Sequence, residues 1–173
     1  MLFRSEFGVK NPEAAGKIYM KKASGASRVL YDITSPAKER MTVLIEKGTG
    51  TVFYKNTNQY RTGSASNETT DFLLLGFGAG SDVFSKSYAP EYKGREAMGG
   101  VQAAVLELTA RADTAKFRKI TLWLDPSTWT PVQTRVTEGS KSFTDFRYSN
   151  VKLNRGVADS VFKLDIPKDA RKQ

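Results

Sequence analysis

Hydrophobic and polar positions alternate with a period of two over most of the chain, the pattern of half-buried β-strands. Phe3, Ser5, Phe7 and Val9 fall on one face, with Arg4, Glu6 and Lys10 opposite. A turn containing Asn11, Pro12 and Gly16 follows, after which Ile18, Met20 and Lys22 share a face. Residues 28–33 continue the alternation through Val29, Tyr31 and Ile33. Pro36 ends that strand, because it has no N–H to give to a ladder. Met41, Val43 and Ile45 form the next stripe. Lys47-Gly48-Thr49-Gly50 reads as a hairpin turn, since glycine tolerates positive φ, and strands over 51–56 and 59–62 follow.

The pattern breaks after Asn67. Thr69, Thr70 and Asp71 are good N-cap residues, Phe72-Leu73-Leu74-Leu75 is uniformly apolar, and Gly76, Gly78 and Gly80 stop whatever precedes them. The spacing predicts a short, greasy helix over 70–75, followed by a glycine loop and only a weak helical tendency over 81–86. Strands resume at 92–98 and 101–110, joined by Gly99-Gly100. On the second of these Ala104, Leu106 and Leu108 face one way. Ile120, Leu122 and Leu124 alternate again, then Val132, Thr134 and Val136. A long strand is expected over 142–153 with a bulge between Phe143 and Phe146, and a last strand over 161–166.

These elements predict a mainly β, single domain over 1–173. One antiparallel sheet of so many strands must curl, giving an unclosed half-barrel with one apolar, concave face. Side chains, helices or a ligand must fill that face. The greasy helix is either a plug in a core or a lid on glycine hinges.

Composition narrows the chemistry. The chain has 173 residues and contains no cysteine and no histidine. Disulfides, thiol nucleophiles, Cys/His zinc sites and histidine acid–base chemistry are therefore excluded, and no metal site or cofactor is expected. The carboxylates Asp32, Glu46, Asp71, Glu107, Asp125 and Asp145 are scattered rather than paired, which argues against an enzyme. The net charge is +9, but the basic residues are spread without a run of five, so nucleic acid is not the expected partner. An anionic surface or an acidic protein suits such a balance. No apolar stretch is long enough to cross a membrane as a helix, and residues 1–10 carry no signal-peptide core.

Three smaller features each carry two readings. Gly76-Phe77-Gly78-Ala79-Gly80 resembles a phosphate loop, but its spacing and context favour a helix stop. Asn67-Glu68-Thr69 fits both an N-glycosylation site and a loop with a helix cap. Lys22, on the apolar face, is either a strand-end lysine reaching water or a latch to the carbonyls of a lid.

The order of these weak motifs is similar to that of one family. It runs from Gly16-Lys17-Ile18-Tyr19-Met20-Lys21-Lys22 through Val52-Phe53-Tyr54, Phe72-Leu73-Leu74-Leu75 and Ile120-Thr121-Leu122-Trp123-Leu124-Asp125. It ends with Thr130-Pro131-Val132 and Val161-Phe162-Lys163-Leu164-Asp165-Ile166-Pro167. The chain resembles the periplasmic outer-membrane lipoprotein carriers (LolA-like lipoprotein-sorting proteins) over about residues 3–168. The family's signal peptide and first helix have no counterpart here, and Lys22 stands where the family often has a latching arginine.

The resemblance implies a hydrophobic cavity for acyl chains. Its expected lining is Phe7, Ile18, Met20, Val43, Ile45, Leu106, Leu108, Leu122 and Leu124, with Phe72, Leu73, Leu75 and Phe77 as lid and Lys22 as latch. It implies a monomeric periplasmic carrier of acylated lipoproteins or lipids, working between an inner-membrane transporter and an outer-membrane acceptor. The alternative is a periplasmic lipid- or lipoprotein-sensing regulator on the same scaffold, without cargo hand-off.

Overall fold

The computed structural model describes residues 2–6, 13–23, 26–65, 72, 75–77, 81–115, 117–139 and 142–173. The fold is mainly β and antiparallel. The strands fall into two compact units. Unit 1 comprises Met1–Glu13 and Leu75–Val151, and unit 2 comprises Ala14–Leu74 and Lys152–Gln173.

In unit 2 the strands β2 (Ala14–Ala23), β3 (Ala26–Ser35), β4 (Met41–Glu46), β5 (Thr49–Tyr54) and β6 (Gln59–Ser64) lie side by side in chain order. The short β12 (Arg171–Lys172) adds in parallel along the far edge of β6. The register confirms the predicted stripe, since Ile18 pairs with Tyr31, Met20 with Val29, Tyr31 with Val43 and Val29 with Ile45. β3 stops at Ser35, followed by a cis Ser35–Pro36 bond and a 3-10 turn over Ala37–Glu39.

The ladder between β2 and β3 shifts register between Ala15 and Gly16. There the backbone comes so close that a Cβ on Gly16 would lie 2.1 Å from the Asp32 carbonyl oxygen. No side chain can move out of the way. Gly16→Ala should therefore destabilise the protein by about 1–3 kcal/mol, the usual range for overpacking against backbone. Urea unfolding measures this, and an unchanged midpoint would mean that the two strands separate freely at this point.

The opposite face of unit 2 is polar only in part. It carries Tyr19, Leu30 and Phe53 among the charges, and Leu30 and Phe53 are buried. Residues 161–166, expected as a final strand, belong instead to a 3-10 turn (Asp159–Phe162) and an extended strap over that face. Apolar residues at 161, 162, 164 and 166 mimic a strand, but Phe162 is buried and the segment joins no ladder. Asp159 anchors the turn by accepting from Lys21 Nζ at 2.9 Å and Arg28 Nη1 at 3.0 Å. The Lys21 hydrogen bond holds its carboxyl below the usual range. A cavity of about 260 Å³ remains between strap and sheet, where Lys55 donates to Asp32 at 2.6 Å.

Unit 1 orders its strands β1-β11-β10-β9-β8-β7. These are β1 (Leu2–Glu6), β7 (Tyr88–Met98), β8 (Val101–Ala110), β9 (Lys119–Leu124), β10 (Pro131–Glu138) and β11 (Ser142–Arg147). β11 ends at Arg147, earlier than expected, and pairs in regular register on both sides. The expected bulge is absent from those pairings: Phe143 and Phe146 are three residues apart and so point to opposite faces by parity alone. β7 starts at Tyr88, directly after an α-helix over Ser81–Ser87 that was expected only as a weak tendency.

The face of unit 1 opposite the predicted stripe has its own polar and aromatic order. Arg135 donates from Nε and Nη2 to the Asp145 carboxylate at 2.7 and 2.8 Å, and Asp145 is 3% exposed. The guanidinium lies 4.1 Å over the Phe143 ring, and Trp123 donates to Glu96 at 2.8 Å. Ala103, Val105 and Trp123 form a small buried cluster beside Met98, Val101 and Val132.

Candidate functional site

In unit 1, strand parity and register gather the predicted apolar face. Ala104 pairs with Leu124, Leu106 with Leu122 and Leu108 with Ile120, and on the next strand Thr134 pairs with Leu122 and Val136 with Ile120. Leu108 and Leu122 are buried, while Leu106 and Leu124 are only half-buried. The half-buried pair is where a ligand could displace water without tearing apart a packed core.

The second half of the predicted lid, residues 75–77, meets this same face. Gly76 sits at φ +82 against Pro131, where a Cβ would come within 2.9 Å of the ring. Phe77 places its ring edge-on to Tyr148 at 5.2 Å. Leu75 is buried and Phe77 half-buried. Phe84, from the helix Ser81–Ser87, stacks with Tyr88 at 5.3 Å, and the Tyr88 hydroxyl donates to the Phe117 carbonyl at 3.0 Å. Sequence reasoning missed Phe84, Tyr88 and Phe117. The spacing of Phe84 and Tyr88, four residues apart across a helix end, is the signal that was available.

Burial raises the Tyr148 hydroxyl to about 12. The folded value then lies above the ordinary tyrosine value near 10, so the folded form holds its proton longer than the unfolded chain. The resulting stability is complete below pH ~10 and is lost as pH rises through about 12. Urea midpoints across that window should fall more steeply for the wild type than for Tyr148→Phe; identical slopes would place this hydroxyl in water.

In unit 2 the predicted face carries Ile18, Met20, Val43 and Ile45. Ile45 is buried, while Ile18, Met20 and Val43 are half-buried, beside the half-buried Met41, Val52 and Tyr54 on the same side of the sheet. Phe72 is 5% exposed and helical. Phe7 and Leu73 lie outside the described residues, as do the Lys22 side chain, the Asn67-Glu68-Thr69 motif, Gly78 and Gly80. The lining and lid assignments thus fall on two apolar faces, each with buried and half-buried members.

Among the described residues no three His, Cys, Asp or Glu side chains come together as a metal site. None of the described helices is long and apolar enough to cross a membrane.

The family model for the outer membrane lipoprotein carrier protein LolA matches residues 5–165. The chain belongs to this family. No curated protein matches it. Among solved structures, an uncharacterized conserved protein from Thermus thermophilus is similar at TM-score 0.60 and 13% identity, over 99% of this chain and 86% of that one. A DUF1329 family protein from Desulfovibrio piger is similar at TM-score 0.51 and 16% identity, over 94% and 87%. The Pseudomonas aeruginosa MucA/MucB complex contains a chain similar at TM-score 0.54 and 17% identity, covering 94% of this chain and 54% of that one. This LolA family member thus spans about half of that longer chain. At these identities the likenesses establish a shared fold. The residues 159–165 that strap the far face of unit 2 fall within the LolA match, so the strap is part of what the family model covers.

Proposed function

We propose that this LolA family member is a soluble, non-enzymatic periplasmic carrier that holds the acyl chains of lipoproteins or lipids. Each unit offers an apolar face for this role, the one carrying Ile18, Met20 and Val43 in unit 2 and the one carrying Leu106 and Leu124 in unit 1. The observation that carries the reading is a half-buried apolar stripe inside a lipoprotein-carrier family match. Half-buried aliphatic side chains gain about 0.8 kcal/mol for each CH₂ they help remove from water, without opening a packed core. In unit 1 Leu75 and Phe77 then serve as lid residues, Phe77 against Tyr148, and the same role is proposed for Phe72 and Leu73. The half-barrel architecture, the Lys22 latch, the inner-membrane transporter, the outer-membrane acceptor and the monomeric state all belong to this proposal.

The test is native mass spectrometry with a triacylated lipopeptide. A stoichiometric adduct is expected, and a folded protein with no adduct overturns the carrier reading. The second reading, a regulator that holds a protein partner, is favoured only by the similarity to the MucA/MucB complex. It predicts a stable partner and no transfer of bound lipopeptide to acceptor vesicles.

A further inference from the structure

The loop that joins β9 to β10 in unit 1 holds a large ring in water. Trp129 is 63% exposed, whereas Trp123, the other of the chain's two tryptophans, is 7% exposed. Trp129 also sits at φ +55, a left-handed backbone that a bulky residue adopts only where its surroundings impose it. The surroundings here are a dense turn. Trp129 N–H donates to the Asp125 carbonyl at 2.6 Å, and Asp125 N–H donates to the Thr130 carbonyl at 2.9 Å. The Asp125 carboxylate accepts from the Ser127 N–H at 2.8 Å and its hydroxyl at 2.7 Å. The Thr128 and Thr130 hydroxyls bond each other at 2.8 Å. The turn holds a strained backbone conformation and presents an indole that is mostly open to water.

The same end of the unit exposes more apolar surface. Tyr148 N–H reaches the Val132 carbonyl at 2.9 Å, bringing the segment that ends in Val151 alongside, and Val151 is 40% exposed. The β7–β8 turn closes there too, with Gly99 seated against Val132.

We propose that Trp129 is an interfacial anchor that docks this end of the protein on an anionic lipid bilayer. An indole has an apolar body and one N–H donor, which suits the headgroup layer where one side is greasy and the other wet. The net charge of +9 supplies the attraction to anionic headgroups. A protein hot spot would sit in a packed patch ringed by further contacts. Trp129 instead stands next to exposed Ser127 and Thr128 on a narrow turn. The inference is independent of acyl-chain binding, because docking needs no cargo.

The test is flotation of the whole chain with vesicles of phosphatidylglycerol and phosphatidylcholine, alongside tryptophan emission. The wild type should float at low salt, and its emission should move to the blue as Trp129 leaves water, Trp123 being already buried. Trp129→Ala should lose the blue shift and about tenfold or more of the vesicle affinity, as expected when a large side chain's burial is removed. Thermal melting establishes that this exposed-site variant is folded, and Trp129→Phe should restore most of the affinity. Two results overturn the proposal. One is equal flotation of wild type and Trp129→Ala, which would assign binding to diffuse basic charge. The other is a folded wild type that does not float, which would leave a protein contact as the loop's role.

Discussion

Leu106→Glu should leave the protein folded and abolish the lipopeptide adduct, whereas Leu122→Glu should prevent folding. The two leucines are directly paired across β8 and β9 on one apolar face. Leu106 is half-buried and on its other side is paired with Tyr92, which is 61% exposed, so a glutamate at 106 can turn its carboxylate into water. A bound acyl chain would close that route and leave the charge stranded, at a cost of several kcal/mol in affinity. Leu122 is 2% exposed and has no such route. A carboxylate there costs an amount comparable to the whole ~5–15 kcal/mol that holds a domain together. Circular dichroism reports folding and native mass spectra report binding. A folded Leu106→Glu that binds lipopeptide as well as the wild type would remove this face from the proposed site.

Arg135→Ala should lower stability by about 3 kcal/mol, the low end for breaking a buried pair, because Arg135 itself is partly open to solvent. Asp145 lies almost fully buried, and both its oxygens accept from this one guanidinium. Removing the arginine strands a carboxylate and uncovers the face of Phe143. For a chain of this size the melting temperature should drop by roughly 6–12 °C. Replacing both partners together, Arg135→Met with Asp145→Leu, should recover most of the loss, since an apolar pair carries no desolvation cost. A loss under about 1 kcal/mol in the single variant would show that water reaches Asp145 in its place.

Much of this fold was legible because parity is a strict rule. Once residues 101–110 and 119–124 read as strands, Leu106 and Leu122 had to share a side or the hydrophobic pattern would have pointed into water. Side-chain alternation alone does not say what a strand pairs with. Residues 161–166 alternate like a strand, yet they cross a sheet face, where Val161 and Leu164 line a cavity with Leu30 and Phe53 rather than pairing along an edge. The same ambiguity hid the second half-apolar face of unit 2, which Tyr19, Leu30 and Phe53 share with charged residues. The helix Ser81–Ser87 was underestimated because its segment is short and polar. Its helical anchor, Phe84, becomes visible only once Tyr88 is known to be buried beside it. Candidate lining residues were recoverable as a face. Which of them keep contact with solvent depends on neighbours far away in sequence, and pattern does not reveal those.

The interleaving of the two units bears on how this protein is born. Unit 1 takes its strand β1 from residues 2–6, whose ladder partner within the unit, β11, is Ser142–Arg147. A ribosome releases β1 long before it supplies β11. Unit 2 waits longer still, because the strap and β12 come last. Pairing of such distant segments closes long loops and is intrinsically slow. From the synthesis of β1 until that of β11 the nascent chain therefore carries one half of a ladder without the other. That interval is when the chain is most exposed to aggregation and has most need of a chaperone.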